Sequence, residues 1–203
     1  MHVSPVNLGN VTPTVTPMEI TDEPPEPLGI VPVEGRGSLP FALVHGESLV
    51  AAASWALTTA GARLFDYGVP FTGIQGAGEM LVIHDPLCPL TPAAFLSEAM
   101  AESARTGAVV VGVRPVTDTV KEYDGHQLGA TVDREDLMCV TSPVVLPAAV
   151  VAALDSLALD DLAVLVEGLT QRFPVRHLSA PVLGRRVVDE ADLEVLSALS
   201  AAD

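Results

Sequence analysis

Short apolar runs alternate with segments of helical pattern along most of this 203-residue chain. The apolar runs, which are rich in Val and Ile and too short for buried helices, are 29–33, 80–84 and 108–113, and 175–178 is also predicted to be a strand. The helical segments between and after them are 48–61, 91–106, 147–157, 162–171 and 189–199. This alternation predicts an α/β domain with a mostly parallel sheet covered by helices on both faces. Because 108–113 is apolar on both faces, it predicts a central parallel strand.

The first 28 residues differ in composition from the rest of the chain. They contain six prolines and neither Lys nor Arg. Proline removes a backbone donor and restricts φ, so 1–28 is predicted to be an acidic, Pro-rich arm or tail, with the domain at 29–203. Within the domain, 120–132 predicts a β-arm that turns at Asp124-Gly125. The glycine-rich stretch 68–79 is expected to be irregular.

The charge balance excludes several classes of partner. Acidic residues number 26 against 10 basic ones, which gives a net charge of −16. Binding of nucleic acid or of an anionic membrane surface requires a basic footprint, so neither is expected. The two cysteines, Cys88 and Cys139, lack the paired spacing of a zinc site, which predicts a cytoplasmic protein with free thiols.

Polar residues follow three of the predicted strands, where α/β sheets bind ligands. They are the glycine loop 34–38, the His84-Asp85 pair and the segment 117–119. Each set has a simpler structural interpretation: a tight turn at 34–37, a strand-end His84 bonded to backbone, and a capped turn at 118–119. Of the His-Asp pair, Asp85 is the better candidate metal ligand.

Taken in order, these segments resemble the methylerythritol phosphate cytidylyltransferase family. Val31-Pro32-Val33-Glu34-Gly35-Arg36-Gly37 is similar to the family's Pro-Ala-Ala-Gly-x-Gly loop, and Val82-Ile83-His84-Asp85 to its Val-His-Asp motif. Arg114-Pro115-Val116-Thr117-Asp118-Thr119-Val120-Lys121 resembles its Pro-Val-x-Asp-Thr-x-Lys motif, Asp133-Arg134 the Asp-Arg pair of its dimer arm, and Arg186 with Asp192-Leu193 its C-terminal motif. The resemblance implies a Rossmann-like nucleotidyltransferase (GT-A-like) fold.

The interval between Trp55 and His84 is shorter than the family's. The resemblance implies an internal deletion there of a strand, a helix and the Ala-Gly-Gly segment that reads the cytosine base. Gly76-Ala77-Gly78 is the predicted remnant of that segment.

The resemblance also implies site residues. Gly35, Arg36 and Gly37 match the loop that cradles the nucleotide phosphates, and Arg36 is the candidate catalytic cation. Thr119, Arg134 and Arg186 match contacts to the sugar phosphate, and Asp85 the position near the metal. Read from the residues alone, Arg134 pairs with a surface acid, and Arg185 and Arg186 pair locally with Asp189 and Glu190.

The nucleotide half departs from the family pattern. The expected Arg and Lys after the glycine loop are Leu39 and Phe41, and Glu34 places a carboxylate in the loop. The family's arginine after His-Asp is Cys88. Each lost cation removes several kcal/mol of transition-state stabilisation, roughly 3–4.

These departures favour a catalytically impaired relative that acts as a binding, regulatory or scaffold protein. The alternative is an active, Mg²⁺-dependent nucleotidyltransferase that joins CTP to a sugar phosphate in isoprenoid precursor biosynthesis. The expected partners are CTP or a sugar phosphate, and a second copy of the chain or an intact cytidylyltransferase bound through the arm. The impaired protein requires no cofactor.

Overall fold

The computed structural model of the chain describes residues 26–65, 70–117, 119–135 and 137–201. Its strands are β1 (Leu28–Ile30), β2 (Leu43–Val44), β3 (Glu47–Ser48), β4 (Arg63–Leu64), β5 (Leu81–Ile83), β6 (Val109–Pro115), β7 (Val120–Tyr123), β8 (Leu128–Val132), β9 (Met138–Leu146) and β10 (Val175–Ser179). Its α-helices are α1 (Leu49–Thr59), α2 (Phe71–Ala77), α3 (Ala93–Thr106), α4 (Ala148–Ala153), α5 (Leu162–Thr170) and α6 (Glu190–Ser200).

Six strands form the central sheet in the order β10-β6-β9-β5-β1-β4. β9 runs antiparallel to β5 and β6, and the other neighbouring pairs are parallel. The prediction of an α/β fold with a mostly parallel sheet is confirmed. The strand predicted at 108–113 is central and runs parallel to β10, but its other neighbour, β9, returns from the arm and pairs with it in the antiparallel direction.

Alternating side chains of the central strands enter two hydrophobic clusters. On β6, Val109 and Val111 join one cluster and Val110 joins the other. The first cluster packs against α4 and α5, and the second against α1 and α3. Strand side chains alternate between faces, so these clusters lie on opposite faces of the sheet. Helices therefore cover both faces, as predicted.

The interval between α1 and β5 contains more regular structure than expected. β4 pairs with β1, and α2 occupies most of the stretch predicted to be irregular, although 66–69 lie outside the described residues. Gly78 ends α2 with a φ of 67°, the left-handed conformation that favours glycine at a helix end. The short interval thus retains a two-residue strand and a seven-residue helix.

Two features border the central sheet, the entry of the chain into β1 and the arm. β1 begins at Leu28, whose side chain is fully buried, and residues 1–25 lie outside the described part of the chain. The predicted arm forms as the β7–β8 hairpin between β6 and β9.

In the described ranges, every helix is too short or too polar to cross a membrane.

Candidate functional site

Three loops meet at the carboxyl edge of the parallel strands, where α/β sheets bind ligands. They follow β1, β5 and β10, and they contribute Arg36, Asp85 and Arg186 respectively. Arg36 Nε donates to Asp85 Oδ1 at 2.8 Å, and Arg186 Nε donates to Asp85 Oδ2 at 3.0 Å. The fold thus joins residues 49 and 101 positions apart into one charged cluster, which we call the Asp85 cluster.

Arg36 is the inner member of the Asp85 cluster. Its side chain is 1% exposed, and Nη1 donates to the carbonyl oxygens of Glu34 at 2.6 Å and Leu159 at 2.9 Å. Protein oxygens therefore accept hydrogen bonds from both Nε and Nη1 of this guanidinium. Burial of an arginine requires such partners, because an unpaired buried charge is strongly unfavourable.

Asp85 is held ionised by its neighbours. Burial by itself would raise the pKa of this carboxyl, but the positive charge of Arg36, the backbone N–H of Leu87 and the charge of Arg186 outweigh burial and lower the pKa. Oδ1 also accepts from Leu87 N at 3.0 Å. Both carboxylate oxygens are therefore engaged by protein donors.

This donor set does not fit a resident Mg²⁺ ion. Mg²⁺ prefers oxygen ligands in near-octahedral geometry, whereas the Asp85 oxygens face two guanidinium groups. Across the described residues, His, Cys, Asp and Glu side chains form no group of three that could hold a metal ion. A metal role for Asp85 therefore requires that its contacts with both arginines break. We retain that role only for the alternative function, the active nucleotidyltransferase.

The glycine loop packs against the protein itself. Gly35 has a φ of 74°, and a Cβ added there would lie 2.9 Å from the backbone oxygen of Asp160. Gly37 has a φ of 59°, and a Cβ there would meet nothing within 4 Å. The 159–160 segment therefore closes the Gly35 side of the loop, and the loop is open at Gly37.

Substitution of these two glycines separates close packing from backbone strain. Gly37→Ala should lower the free energy of unfolding by about 1 kcal/mol, the cost of a left-handed alanine. Gly35→Ala has the same strain and also collides with Asp160, which should add about 1–3 kcal/mol. Urea unfolding of both variants measures the difference, and equal losses would show that 159–160 does not close the loop.

Three of the residues that depart from the family pattern, Glu34, Leu39 and Phe41, have side chains outside the Asp85 cluster. Glu34 and Phe41 are exposed, Phe41 by 61%. Leu39 packs on the small apolar cluster of Val44, Leu49 and Leu87. None of the three is a cation, so the loop offers phosphate oxygens its backbone but no accessible positive side chain.

His84 is a buried structural residue. Its Nδ1 lies 2.5 Å from Ser142 Oγ, and that hydroxyl accepts from Asp85 N at 3.0 Å. Burial lowers the pKa of His84 to about 4, although the Asp85 charge opposes this shift. His84 is thus a strand-end residue, as one interpretation expected, but its partner is a side-chain hydroxyl.

Ser142 reaches His84 because of a glycine on the neighbouring strand. A Cβ added at Gly112 would lie 2.4 Å from the Ser142 carbonyl oxygen. The β6–β9 register shifts between Val111 and Val113, opposite this close approach. Sequence reasoning missed Ser142, since its role depends on the pairing of β9 and no local pattern marks it.

The other predicted sugar-phosphate residues lie at the base of the arm. Thr119 precedes β7 and Arg134 follows β8, and both are exposed. Arg134 donates to the carbonyl oxygen of Thr117. Among the contacts of the described residues, none joins Thr119 or Arg134 to the Asp85 cluster.

The C-terminal arginines have different partners. Arg185 pairs with Asp192 at 2.5 Å, close to the local pairing expected, whereas Arg186 contacts Asp85. A third arginine, Arg114, donates from Nη1 to the carbonyl oxygens of Ala180 at 3.1 Å and Pro181 at 2.6 Å. It thereby ties the end of β6 to the loop that carries Arg186.

Both cysteines are free thiols, as predicted. Cys88 is buried, and burial followed by the Asp85 charge raises the pKa of its thiol, so it remains protonated at neutral pH. Cys139 is exposed on β9.

Comparison with known proteins shows which family this chain is similar to. The family described as "IspD: 2-C-methyl-D-erythritol 4-phosphate cytidylyltransferase" matches residues 69–168, a range that contains Asp85 and Arg134 but neither the glycine loop nor Arg186. Curated proteins named 2-C-methyl-D-erythritol 4-phosphate cytidylyltransferase are 30% identical in Shouchella clausii (61% of this chain, 56% of that protein) and 31% identical in Halorhodospira halophila (64% and 55%). The chain spans little more than half the length of these relatives, and 32% of one from Bacillus licheniformis.

Solved structures show the same fold. The cytidylyltransferase from Thermus thermophilus aligns with a TM-score of 0.60 at 20% identity, covering 88% of this chain and 99% of that one. The synthase from Anaerococcus prevotii aligns with a TM-score of 0.62 at 13% identity, covering 87% and 96%. The nucleotidyltransferase fold is therefore present at low sequence identity.

Proposed function

Because this chain is a divergent relative of the 2-C-methyl-D-erythritol 4-phosphate cytidylyltransferase family, we propose that it is catalytically impaired and acts as a binding, regulatory or scaffold protein. The observation that carries the proposal is the engagement of Arg36 by Asp85, Glu34 and Leu159. Nucleotidyl transfer depends on cations that stabilise negative charge on phosphate oxygens. An arginine that is buried and whose Nε and Nη1 are already bonded to the protein does not supply that stabilisation.

The rest of the glycine loop supports the same conclusion. The positions expected to carry Arg and Lys are the apolar Leu39 and Phe41, and the exposed Glu34 carboxylate repels a triphosphate. Backbone of Asp160 lies against Gly35, on one side of the loop. A nucleotide would have to displace this packing and approach a negative charge.

The acceptor half supports binding of a phosphorylated sugar. Arg186 is 39% exposed, so a ligand can reach its guanidinium while Nε holds Asp85. Arginine binds phosphate oxygens through paired donors. We assign Arg186 the role of phosphate contact for a sugar phosphate such as methylerythritol phosphate, with Thr119 and Arg134 on the arm as further contacts.

The arm is the proposed surface for a second chain. Its side chains Tyr123 and Leu128 are 67% and 70% exposed, and an isolated two-stranded hairpin is marginally stable in water. Pairing of this arm with a second copy, or with an intact cytidylyltransferase, would bury these side chains. Such pairing would also bring Thr119 and Arg134 next to another subunit.

Calorimetry and a pyrophosphate assay test the proposal. We expect the full chain to bind methylerythritol phosphate, to bind CTP with Mg²⁺ undetectably, and to release no pyrophosphate when all three are present. Arg186→Leu should abolish the sugar-phosphate heat, whereas Arg105→Leu, which removes an exposed charge from α3, should leave it unchanged.

Each unfavourable result has a distinct meaning. Pyrophosphate release above a no-enzyme control would establish the alternative, an active nucleotidyltransferase, and overturn the proposed impairment. Sugar-phosphate binding that survives in Arg186→Leu would overturn the assignment of Arg186. Failure of the chain to bind either ligand would leave only the scaffold form of the proposal, which co-purification with an intact cytidylyltransferase tests directly.

A further inference from the structure

Arg114 lies at the carboxyl end of β6, one residue before the strand ends. Its position has the same parity along the strand as Val110, whose side chain enters the hydrophobic cluster under α1 and α3. The Arg114 side chain therefore leaves the sheet on the face that α1 and α3 cover. The loop that carries Asp85 leads into α3 on that same face.

The segment that carries Arg186 crosses the ends of the strands between β10 and β5. β6 and β9 lie between these two strands in the sheet, yet Arg186, which follows β10, pairs with Asp85, which follows β5. Arg114 meets this crossing segment at the end of β6, where Nη1 donates to the carbonyl oxygens of Ala180 at 3.1 Å and Pro181 at 2.6 Å. Because β6 and β5 are two strand spacings apart, only about 10 Å separates the strand of Arg114 from that of Asp85.

Further contacts hold the crossing segment against the Asp85 loop. Val187 N donates to the carbonyl oxygen of Leu87 at 2.7 Å. A Cβ added to the buried Gly184 would lie 3.6 Å from Thr91 Oγ1. The two loops are thus packed together along the segment that joins the Arg114 contacts to Arg186.

The charges gathered at this edge of the sheet do not cancel. Three guanidinium groups, those of Arg36, Arg114 and Arg186, lie near one carboxylate, that of Asp85, so three positive charges and one negative charge leave a net charge of two. All four charges act on the buried thiol of Cys88. In a chain whose net charge is −16, such a concentration of positive charge at the carboxyl edge of the sheet indicates an anionic ligand.

The two outer arginines keep donors for a ligand. In the hydrogen bonds that the described residues form, Arg114 uses Nη1 and Arg186 uses Nε. A guanidinium carries five N–H donors on three nitrogens, so these bonds leave Nη2 of each arginine for another partner. Arg36 differs, because it is buried and its Nη1 already donates to Glu34 and Leu159. Arg114 is half-buried and Arg186 is partly exposed, so an anion can reach both.

We propose that Arg114 and Arg186 together bind the phosphate group of a phosphate monoester in its dianionic form. This inference rests on the proposed function, because it adds a second arginine to the sugar-phosphate site proposed there. Two guanidinium groups offer charged donors from different directions, which suits the tetrahedral oxygens of phosphate. The net charge of two near Asp85 matches a dianion better than the single charge of a phosphate diester, so this site selects a terminal phosphate group.

Calorimetric titration of the full chain with methyl phosphate and with dimethyl phosphate at pH 8 tests the inference. The second pKa of a phosphate monoester is about 6, so at this pH methyl phosphate is a dianion and dimethyl phosphate a monoanion. We expect the wild type to bind methyl phosphate about 10-fold or more tightly than dimethyl phosphate.

Substitution of Arg114 should change that preference. Arg114→Gln should weaken methyl phosphate binding about 10-fold or more and bring the two affinities close together, because it removes a charged donor. Arg114→Lys retains the positive charge and should retain the preference for methyl phosphate. The matched control is Arg176→Gln, the same substitution at an exposed arginine of β10, which should leave both affinities unchanged.

The ratio of the two affinities separates a ligand contact from a structural role. If Arg114 only anchors 180–181, Arg114→Gln weakens both phosphates by the same factor, and that result would overturn the inference. Equal affinity of the wild type for the two phosphates, or no binding of methyl phosphate, would also overturn it, even if Arg114→Gln fails to fold.

Failure of this inference is distinguishable from failure of the proposed function. Methyl phosphate binding that is lost in Arg186→Leu but unchanged in Arg114→Gln would overturn the role of Arg114 and leave the proposed function intact. Release of pyrophosphate from CTP by a chain that shows the expected change in affinity ratio would support the role of Arg114 and overturn the proposed impairment alone.

Discussion

Asp85→Asn should lower the free energy of unfolding by about 3–5 kcal/mol, because it leaves two arginines without the carboxylate that compensates them. Arg36 has the larger share of this effect, since its side chain is 1% exposed and that of Arg186 is 39% exposed. Urea unfolding at neutral pH measures the loss. The control is Glu79→Gln, which breaks the exposed ion pair with Arg63 and should cost about 0–1 kcal/mol.

A double variant distinguishes a charge effect from general damage to the loop. Arg36→Met combined with Asp85→Asn removes both members of the buried pair, so the combined loss should be smaller than the sum of the two single losses. Additive losses would contradict the assignment of Asp85 as the counter-charge of Arg36. Such a result would also weaken the proposed impairment, which depends on this pair.

Acidification should destabilise the protein through His84. Its pKa is about 4 in the folded state against 6.5 in the unfolded chain, so between these values the unfolded chain binds a proton that the native protein does not. The free energy of unfolding therefore falls as pH decreases through this window, by about 3 kcal/mol in total. Asp85, whose pKa is lowered by its arginines, adds a loss in the same direction at more acidic pH.

Unfolding of wild type and His84→Gln from pH 7 to pH 4 tests this account. The variant should be less stable at pH 7, since it disturbs the contact with Ser142, but its stability should depend much less on pH across the window. His126→Gln, in the exposed turn of the arm, is the matched control and should keep the wild-type slope. A slope unchanged in His84→Gln would assign the pH dependence to other groups.

The missed elements have a common physical cause. β4 is two residues long and β9 contains a proline, so neither produces a local pattern strong enough to identify a strand. α2 contains two glycines within seven residues, and glycine lowers helix propensity. In each case, packing against neighbours in the fold outweighed the local preference of the residues.

The candidate site divides in the same way. Asp85 was a candidate from its position after a strand, and Arg36 and Arg186 were candidates from the resemblance to the cytidylyltransferase motifs. Their mutual pairing was not predicted, because Arg36, Asp85 and Arg186 come from three separate loops. The local partners expected for Arg186, Asp189 and Glu190, were replaced by a carboxylate 101 positions away.

Hydrophobic periodicity along the chain determined that strands and helices alternate and that a sheet is covered on both faces, since burial depends on local patterns of apolar residues. Which charges neutralise one another was decided only in three dimensions, because electrostatic pairing depends on distance through space. The sequence offered Arg36 as a cation for a nucleotide, and the fold turned it inward against Asp85.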